Sequence, residues 1–122
     1  MSEHNAPILF VGPLTLNPGV NGTAVERFYV EEYLPNVTPL PGYQLTLYKG
    51  QSGKRAGQYL YVGHYASAQR LRQLLHNTMD GQLAASDEWQ AWLAANPAWL
   101  ELMIHFDYTQ LMADFTEYVE IG

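Results

Sequence analysis

The first apolar segment of the chain has the length and composition of a buried strand. Residues 7–11 are apolar, and Gly12 and Pro13 then either end the strand or form a bulge through which it continues to Leu16. The Asn-Pro-Gly sequence at residues 17–19 indicates a turn. The pattern therefore predicts one strand that is followed by a loop.

The next segment has the period of an amphipathic helix. Thr23 and Glu26 are spaced as in a capping box, which predicts that the helix begins there. We expect the helix to continue to about Leu34, because Pro35 lacks a backbone donor and its ring crowds the preceding turn. The predicted apolar side of this helix carries Val25, Tyr29, Val30, Tyr33 and Leu34.

A tyrosine-rich hairpin is predicted after the helix. Residues 43–49 and 58–65 both alternate between two faces, and the glycine-rich segment 50–57 forms the loop between them. Neither face of either strand is fully polar. We therefore expect both faces of the sheet to be covered, one by helices and the other by a second subunit.

The second half of the chain predicts two helices, a short helix and a last strand. Ser67 is placed as the N-cap of a helix that continues to about residue 79, and Ser86 as the N-cap of the next helix. Pro97 is placed at the start of the short helix. Residues 108–121 alternate between apolar and polar positions, which indicates a strand.

The predicted order of elements is β, α, β, β, α, a short α, and β. Split βαβ units of this order form the ferredoxin-like sandwich, which is an α+β fold. A chain of 122 residues also has the length of one domain. We therefore predict a single ferredoxin-like βαββαβ domain over residues 1–122, with an extra short helix.

Composition and charge argue against several classes of function. The chain has no Cys, which excludes disulfides, thiolate metal sites and cysteine nucleophiles. The formal net charge of −6 argues against nucleic acid as a partner. The sequence contains no apolar run that could span a bilayer and no signal-peptide pattern, so we expect a cytoplasmic protein without a membrane partner.

Charge is distributed unevenly along the chain. All 6 basic residues lie between Arg27 and Arg72, and the segment after Arg72 carries only acidic charges. This pattern indicates either a solvated acidic surface or pairing between the two halves of the chain, within or between subunits. In the second case, we predict that Lys49, Lys54 and Arg55 lie near acidic residues of the C-terminal half, either of the same subunit or of the other one.

Several segments resemble the dimeric α/β-barrel superfamily, in which two ferredoxin-like subunits pack sheet to sheet. The matching segments are the first strand with the turn at residues 17–19, and residues 34–42 before the second strand. Residues 86–93, of sequence Ser-Asp-Glu-Trp-Gln-Ala-Trp-Leu, also resemble a Ser-x-Glu-aromatic-Gln stretch near the end of such domains. EthD-like proteins, antibiotic-biosynthesis-type monooxygenases and stress-responsive barrel proteins share these features.

The resemblance implies a homodimer that is joined through the sheet faces to form a dimeric α/β barrel. It also implies a small-molecule-binding protein, or a cofactor-independent oxygenase-type or EthD-like enzyme that acts on an aromatic or apolar substrate. No cofactor is expected. The alternative is a non-enzymatic stress-type or assembly protein whose aromatic surfaces serve oligomerisation.

Histidine and aromatic residues are the candidates for a site. His64 is in phase with Leu60 and Val62, and we expect the helices to cover that face. There the imidazole would be a general base, a hydrogen-bond anchor or a structural group. The aromatic residues form either a ligand pocket or a core and dimer interface. The candidate ligand-binding residues are Tyr29, Tyr33, Tyr48, Trp89 and Trp92.

A metal site is not predicted. His105 and Asp107 lie two positions apart and could share one side of a strand. Two ligands of this kind do not make a metal site, because three or four must converge.

Overall fold

The computed structural model describes residues 6–77 and 83–121. They form an α+β structure in which helices pack on one face of an antiparallel sheet. The strands are β1 (Ile8–Leu16), β2 (Tyr43–Lys49), β3 (Tyr59–Tyr65), β4 (Leu75–Asn77), β5 (Leu83–Ala85), β6 (Phe106–Asp107) and β7 (Thr116–Val119). The helices are α1 (Gly22–Phe28), α2 (Leu34–Asn36), α3 (Ala68–Leu74), α4 (Asp87–Ala95), α5 (Pro97–Met103) and α6 (Thr109–Asp114), and a π-helical turn (Tyr29–Tyr33) joins α1 to α2.

The main sheet has the order β2-β3-β1, and β6 and β7 share the other side of β1. β7 pairs with β1 from Ile8 to Val11, and β6 pairs with Thr15 and Leu16. All of these pairings are antiparallel. The strand order and directions are broadly compatible with a ferredoxin-like arrangement.

β1 continues through Gly12 and Pro13, which is one of the two alternatives left open by the sequence. Gly12 pairs with Tyr61 and Pro13 with Leu60, without a break in the register. The strand is long enough to pair with β7 along its first half and with β6 at its end.

The helices cover the face of the sheet that carries Tyr43, Tyr59, Tyr61 and Tyr65. Side chains from this face and from the helices form one hydrophobic core, in which Leu74 and Leu102 are fully buried. The sheet contributes Ile8, Phe10, Leu14, Tyr43, Leu45, Tyr59, Tyr61, Tyr65 and Phe106, and the helical segments contribute Val25, Tyr33, Leu71, Leu74, Trp89, Trp92, Leu102, Met103 and Leu111.

The first helix begins earlier than the sequence predicts. Its N-cap is Asn21, whose side-chain oxygen accepts a hydrogen bond from the N–H of Ala24 at 3.2 Å. The predicted capping box at Thr23 is therefore wrong. Glu26 does not reach back along its own helix, because its carboxylate binds side chains of β2 and β3.

The same helical segment also continues through Pro35 and ends at Asn36, beyond the predicted end. A π-helical turn over Tyr29–Tyr33 precedes the proline, and the N–H of Leu34 binds the carbonyl oxygen of Tyr29. In a regular α-helix the proline ring clashes with the carbonyl of the residue four positions before it. A wider turn moves that carbonyl away, so the chain stays helical through Pro35.

The predicted caps of the two later helices are confirmed, but one of these helices is shorter than expected. Ser67 accepts from the N–H of Arg70 and Ser86 from the N–H of Trp89, each at 3.1 Å. α3 ends at Leu74, where the chain enters β4 and pairs with β5. The predicted helix end near residues 79–81 lies outside the described residues.

The prediction of one strand over residues 108–121 is wrong. The chain forms α6 first, and only Thr116–Val119 pair as β7. Leu111 and Phe115 fit a strand face, but their spacing of four also fits one side of a helix. In the helix, Leu111 packs against β1 at Gly12.

Charge pairing within the chain differs from the prediction at Lys49. Lys49 binds Glu26 at 3.0 Å, and both belong to the N-terminal half of the chain. Pairing of the hairpin tip with acidic residues of a second subunit stays a prediction. Arg70 makes two hydrogen bonds to Glu88 and thereby links α3 to α4. Within residues 6–77 and 83–121, no helix is long and apolar enough to cross a membrane.

Candidate functional site

His64 lies on the face of the sheet opposite to the core. It pairs in register with Gln44 and Leu9, and the residues that alternate with it, such as Tyr65, point into the core. The expectation that helices cover the face of Leu60, Val62 and His64 is therefore wrong. Both faces of β3 are apolar, so the period of two could not identify the one that the helices cover.

The hydrogen bond of His64 joins it to a neighbouring strand. Its Nε2 lies 3.1 Å from Oγ1 of Thr46 in β2, and the imidazole is half-buried. The sheet separates it from Tyr33 and Trp92, which belong to the core side. The role of His64 as a base stays a prediction, but the predicted placement beside the helices does not hold.

The residues around His64 form a mixed surface that we call the open face. Cross-strand pairs place these side chains on one side of the sheet. Within the described residues, its apolar members do not belong to the core cluster. Leu9 and Tyr118 are exposed, whereas Val62 is buried. The open face consists of Leu9, Val11, Pro13, Gln44, Thr46, Tyr48, Leu60, Val62, His64, Thr116 and Tyr118.

Two clefts lie between the helical segment 22–36 and β2, which is at one end of the sheet order. The first, cleft A, has a volume of about 280 Å³. It lies where α2 leads into the loop before β2, and its lining residues are uncharged. The lining residues are Tyr33, Leu34, Val37, Thr38, Pro39, Leu40, Tyr43, Gln44, Leu45 and Trp92.

Helix α4 holds the loop wall of cleft A in place. The indole N–H of Trp92 donates to the carbonyl oxygen of Thr38 at 2.8 Å, and Oδ1 of Asn96 accepts from the N–H of Thr38 at 2.7 Å. Asn96 is buried, and its amide also donates to the carbonyl oxygen of Trp92 at 2.9 Å. The ring of Tyr43 meets Trp92 edge to face, with centroids 6.1 Å apart. Contacts within the protein thus hold the walls of cleft A in place.

The second cleft, cleft B, has a volume of about 210 Å³ and a charged end. The hydroxyl of Tyr59 donates to Oε2 of Glu26 at 2.6 Å, and Nζ of Lys49 donates to the same oxygen at 3.0 Å. The apolar part includes Leu47 and Phe106. The lining residues are Val25, Glu26, Tyr29, Val30, Leu47, Tyr48, Lys49, Tyr59 and Phe106.

The hydrogen bonds at this charged end shift two pKa values in opposite directions. The hydroxyl of Tyr59, and then the ammonium group of Lys49, holds the pKa of Glu26 below its usual value. Burial, and then the hydrogen bond to Glu26, raises the pKa of Tyr59 to about 12. Near neutral pH the carboxylate is therefore charged and the phenol is protonated.

Two stacked tyrosines, Tyr29 and Tyr33, lie between the two clefts. The hydroxyl of Tyr29 accepts a hydrogen bond from the backbone N–H of Leu47 in β2 at 3.2 Å. Its ring stacks on Tyr33, with centroids 5.7 Å apart and an interplanar angle of 16°. Tyr29 lines cleft B and Tyr33 lines cleft A, so the two clefts are neighbours with separate walls.

The structure divides the predicted ligand-binding residues into three groups. Tyr33 and Trp92 line cleft A, whereas Tyr29 and Tyr48 line cleft B. Trp89 is 5% exposed, lies in the core and lines neither of these clefts.

Sequence reasoning missed the roles of Glu26 and Tyr59 at the charged end of cleft B. Glu26 and Tyr59 lie 33 positions apart and bind each other across two elements. No local pattern marks such a pair. The sequence analysis assigned Glu26 to a capping box at the start of the first helix and did not connect it with Tyr59.

The described residues contain no group of three or more His, Asp or Glu side chains that could hold a metal ion. Taken together, the described residues define an α+β fold in which cleft A and cleft B, both with aromatic walls, lie beside the edge strand β2. Comparisons with protein-family models, curated proteins and solved structures find no match. The resemblance to the dimeric α/β-barrel superfamily therefore stays a prediction.

Proposed function

We propose that this protein binds a small apolar or aromatic molecule in cleft A. The observation that carries the proposal is an uncharged cleft with aromatic walls from three elements, namely Tyr33, Tyr43 and Trp92. Its volume of about 280 Å³ is close to the lower end of small-molecule sites, about 300 Å³, which suits a molecule of one or two rings.

Polar backbone groups of cleft A are already hydrogen-bonded, which favours an apolar ligand over a charged one. Thr38 already uses its backbone N–H and carbonyl in bonds to Asn96 and Trp92. An ion in this cleft would lose hydration and would find no opposite charge among the lining residues. An uncharged aromatic molecule would instead pack against rings whose positions are already held, at a small cost in ordering.

Leu34→Trp tests this proposal, because Leu34 lies at the rim of cleft A and is 45% exposed. The larger side chain fills the cleft without entering the core. We expect it to weaken the binding of naphthalene by about tenfold or more, as measured by shifts of backbone amide resonances. Leu100→Trp is the matched control, since Leu100 is on α5, is 53% exposed and lines neither cleft. Equal binding by the two variants would overturn the proposal.

We further propose that two copies join through the open face, as ferredoxin-like subunits do in a dimeric α/β barrel. The supporting observation is that, among the described residues, no helix contributes core contacts to this face, although it carries apolar side chains from four strands. Soluble monomers rarely leave a contiguous apolar patch of this kind in water. Assembly is therefore the second candidate function. Oxygenase-type activity stays a prediction without a supporting observation.

The dimer is tested by placing a charge in the open face. Leu9 lies between His64 and Tyr118 in the register and is 36% exposed, so Leu9→Glu should leave the fold intact. We expect the unchanged protein to scatter light as a dimer at micromolar concentration and Leu9→Glu to scatter as a monomer. Leu100→Glu, on helix α5 and outside the open face, should remain dimeric. A monomeric wild-type protein would refute this proposal.

A further inference from the structure

We propose that cleft B is a second binding site, and that it takes a small neutral aromatic molecule with a head group that both donates and accepts a hydrogen bond, such as a phenol. This inference is independent of the function proposed for cleft A, because the two clefts have separate linings and different polar groups.

The charged end of cleft B offers one acceptor beside one donor. Oε2 of Glu26 accepts from both Tyr59 and Lys49, whereas within the described residues Oε1 of Glu26 accepts no hydrogen bond. An ammonium group has three hydrogens, and Lys49 uses one of them on Glu26. A hydroxyl group at this end can donate to Oε1 and accept from Nζ at the same time.

The charges of this end favour a neutral ligand. Glu26 and Lys49 form an ion pair, and their side chains are 42% and 49% exposed. An anion would compete with Glu26 for Lys49 and would be repelled by the carboxylate. A cation would compete with Lys49 for Glu26 and would be repelled by the ammonium group. A neutral group that donates and accepts satisfies both partners without breaking their contact.

The body of the cleft is apolar and suits an aromatic ring. Tyr59 and Phe106 meet edge to face with centroids 5.5 Å apart. Val30 and Leu47 add aliphatic surface, and Tyr48 adds a further ring. The volume of about 210 Å³ limits the ligand to about one ring with short substituents.

The floor of cleft B is held in position before a ligand arrives. Tyr59 is fixed through its hydroxyl by Glu26, and Nζ of Lys49 lies 5.7 Å from the centre of the Tyr59 ring. Gly22 leaves room for the hydroxyl, since a Cβ at that position would lie 2.8 Å from it. Groups that are already in place lose less freedom on binding, which is a property of binding sites.

The test compares four probes that share a ring and differ in the head group. Binding to the full chain is measured by amide resonance shifts with para-ethylphenol, para-ethyltoluene, para-ethylbenzoate and para-ethylbenzylammonium. We expect the phenol to bind about tenfold or more tightly than the toluene, and both ions to bind more weakly than the phenol. Equal binding of phenol and toluene, or an ion that matches the phenol, would overturn the assignment.

Two variants test whether the probes bind in cleft B and whether the charge of Glu26 sets their order of affinity. Val30→Trp should block cleft B, because Val30 is 58% exposed at its rim, and Leu100→Trp should not. Glu26→Gln leaves Lys49 without its carboxylate, so para-ethylbenzoate should become the preferred probe. Phenol binding that survives Val30→Trp, or a ranking that Glu26→Gln does not change, would contradict the proposal. Failure of naphthalene to bind cleft A would leave these outcomes unaffected.

Discussion

At the scale of residues, Gly63 allows three tyrosine rings to meet over the backbone of β3. A Cβ atom at this position would lie 3.0 Å from Tyr65 Cε2, 3.3 Å from Tyr61 Cε1 and 3.5 Å from Tyr43 Cε1. The hydroxyls of Tyr43 and Tyr61 are hydrogen-bonded at 2.9 Å. Because burial disfavours the tyrosinate anion, it raises the pKa of Tyr61 from 10.0 to about 12.

This buried cluster predicts a loss of stability at alkaline pH. Between the pKa of 10.0 of an exposed tyrosine and the value of about 12 in the fold, the unfolded chain loses a proton at Tyr61 that the folded chain keeps. The free energy of unfolding should therefore fall as the pH rises through this window. Below about pH 10 both states are protonated, and the contribution of Tyr61 does not change. Urea unfolding at a series of pH values measures the slope.

Two tyrosine variants test whether the slope comes from a buried tyrosine. Tyr61→Phe removes a buried titrating group, so the slope above about pH 10 should decrease by about 1.4 kcal/mol per pH unit. Tyr48→Phe is the matched control, because it removes the hydroxyl of a tyrosine that is 52% exposed. If Tyr61→Phe keeps the slope of the wild-type protein, the prediction is wrong.

At the scale of elements, a glycine decides how α6 packs on β1. A Cβ atom at Gly12 would lie 2.2 Å from Cδ1 of Leu111 and 3.4 Å from its Cα. Leu111 is 5% exposed, so its side chain has little free space to move into. Either the helix must move away from the strand, or the leucine must leave its rotamer.

We expect Gly12→Ala to lower the free energy of unfolding by about 1–3 kcal/mol through this overpacking. Leu111→Ala alone should cost about 2–5 kcal/mol because it leaves a cavity. In the double variant the shorter side chain makes room for the new methyl group, so the combined loss should be smaller than the sum. A double-mutant cycle from urea unfolding measures this coupling. Strict additivity would contradict the contact.

At the scale of the whole molecule, the two faces of the sheet differ in what covers them. The face with Tyr43, Tyr59, Tyr61 and Tyr65 lies under the helices, whereas, among the described residues, no side chain of the open face belongs to the core cluster. If two copies join there, as proposed, part of the apolar surface leaves water only in the dimer. Association and folding are then linked, and stability depends on protein concentration.

This linkage gives a thermodynamic prediction that is separate from light scattering. The midpoint of thermal unfolding should rise with protein concentration for the wild-type protein, since mass action favours the folded dimer. Leu9→Glu, which we expect to be monomeric, should show a midpoint that does not depend on concentration. A constant midpoint for the wild-type protein over a wide range of concentrations would argue against a linked dimer.

Local signals explain the parts of the fold that could be predicted. Alternation over the 7 residues of β2 identified that strand. The caps at Ser67 and Ser86 each bind an N–H only three positions away, so the sequence contains the whole interaction. The segment after residue 108 was mispredicted because its apolar spacing fits both a strand and a helix.

By itself, the sequence determined the hairpin, the starts of α3 and α4, and the presence of apolar side chains on both faces of β3. Only the tertiary structure decided which face the helices cover, because a period of two is the same for either choice. It also joined Glu26 to Tyr59 across 33 positions of the chain. Contacts at that separation arise from packing and leave no local pattern, so neither the position of His64 nor the charged end of cleft B could be predicted from the sequence.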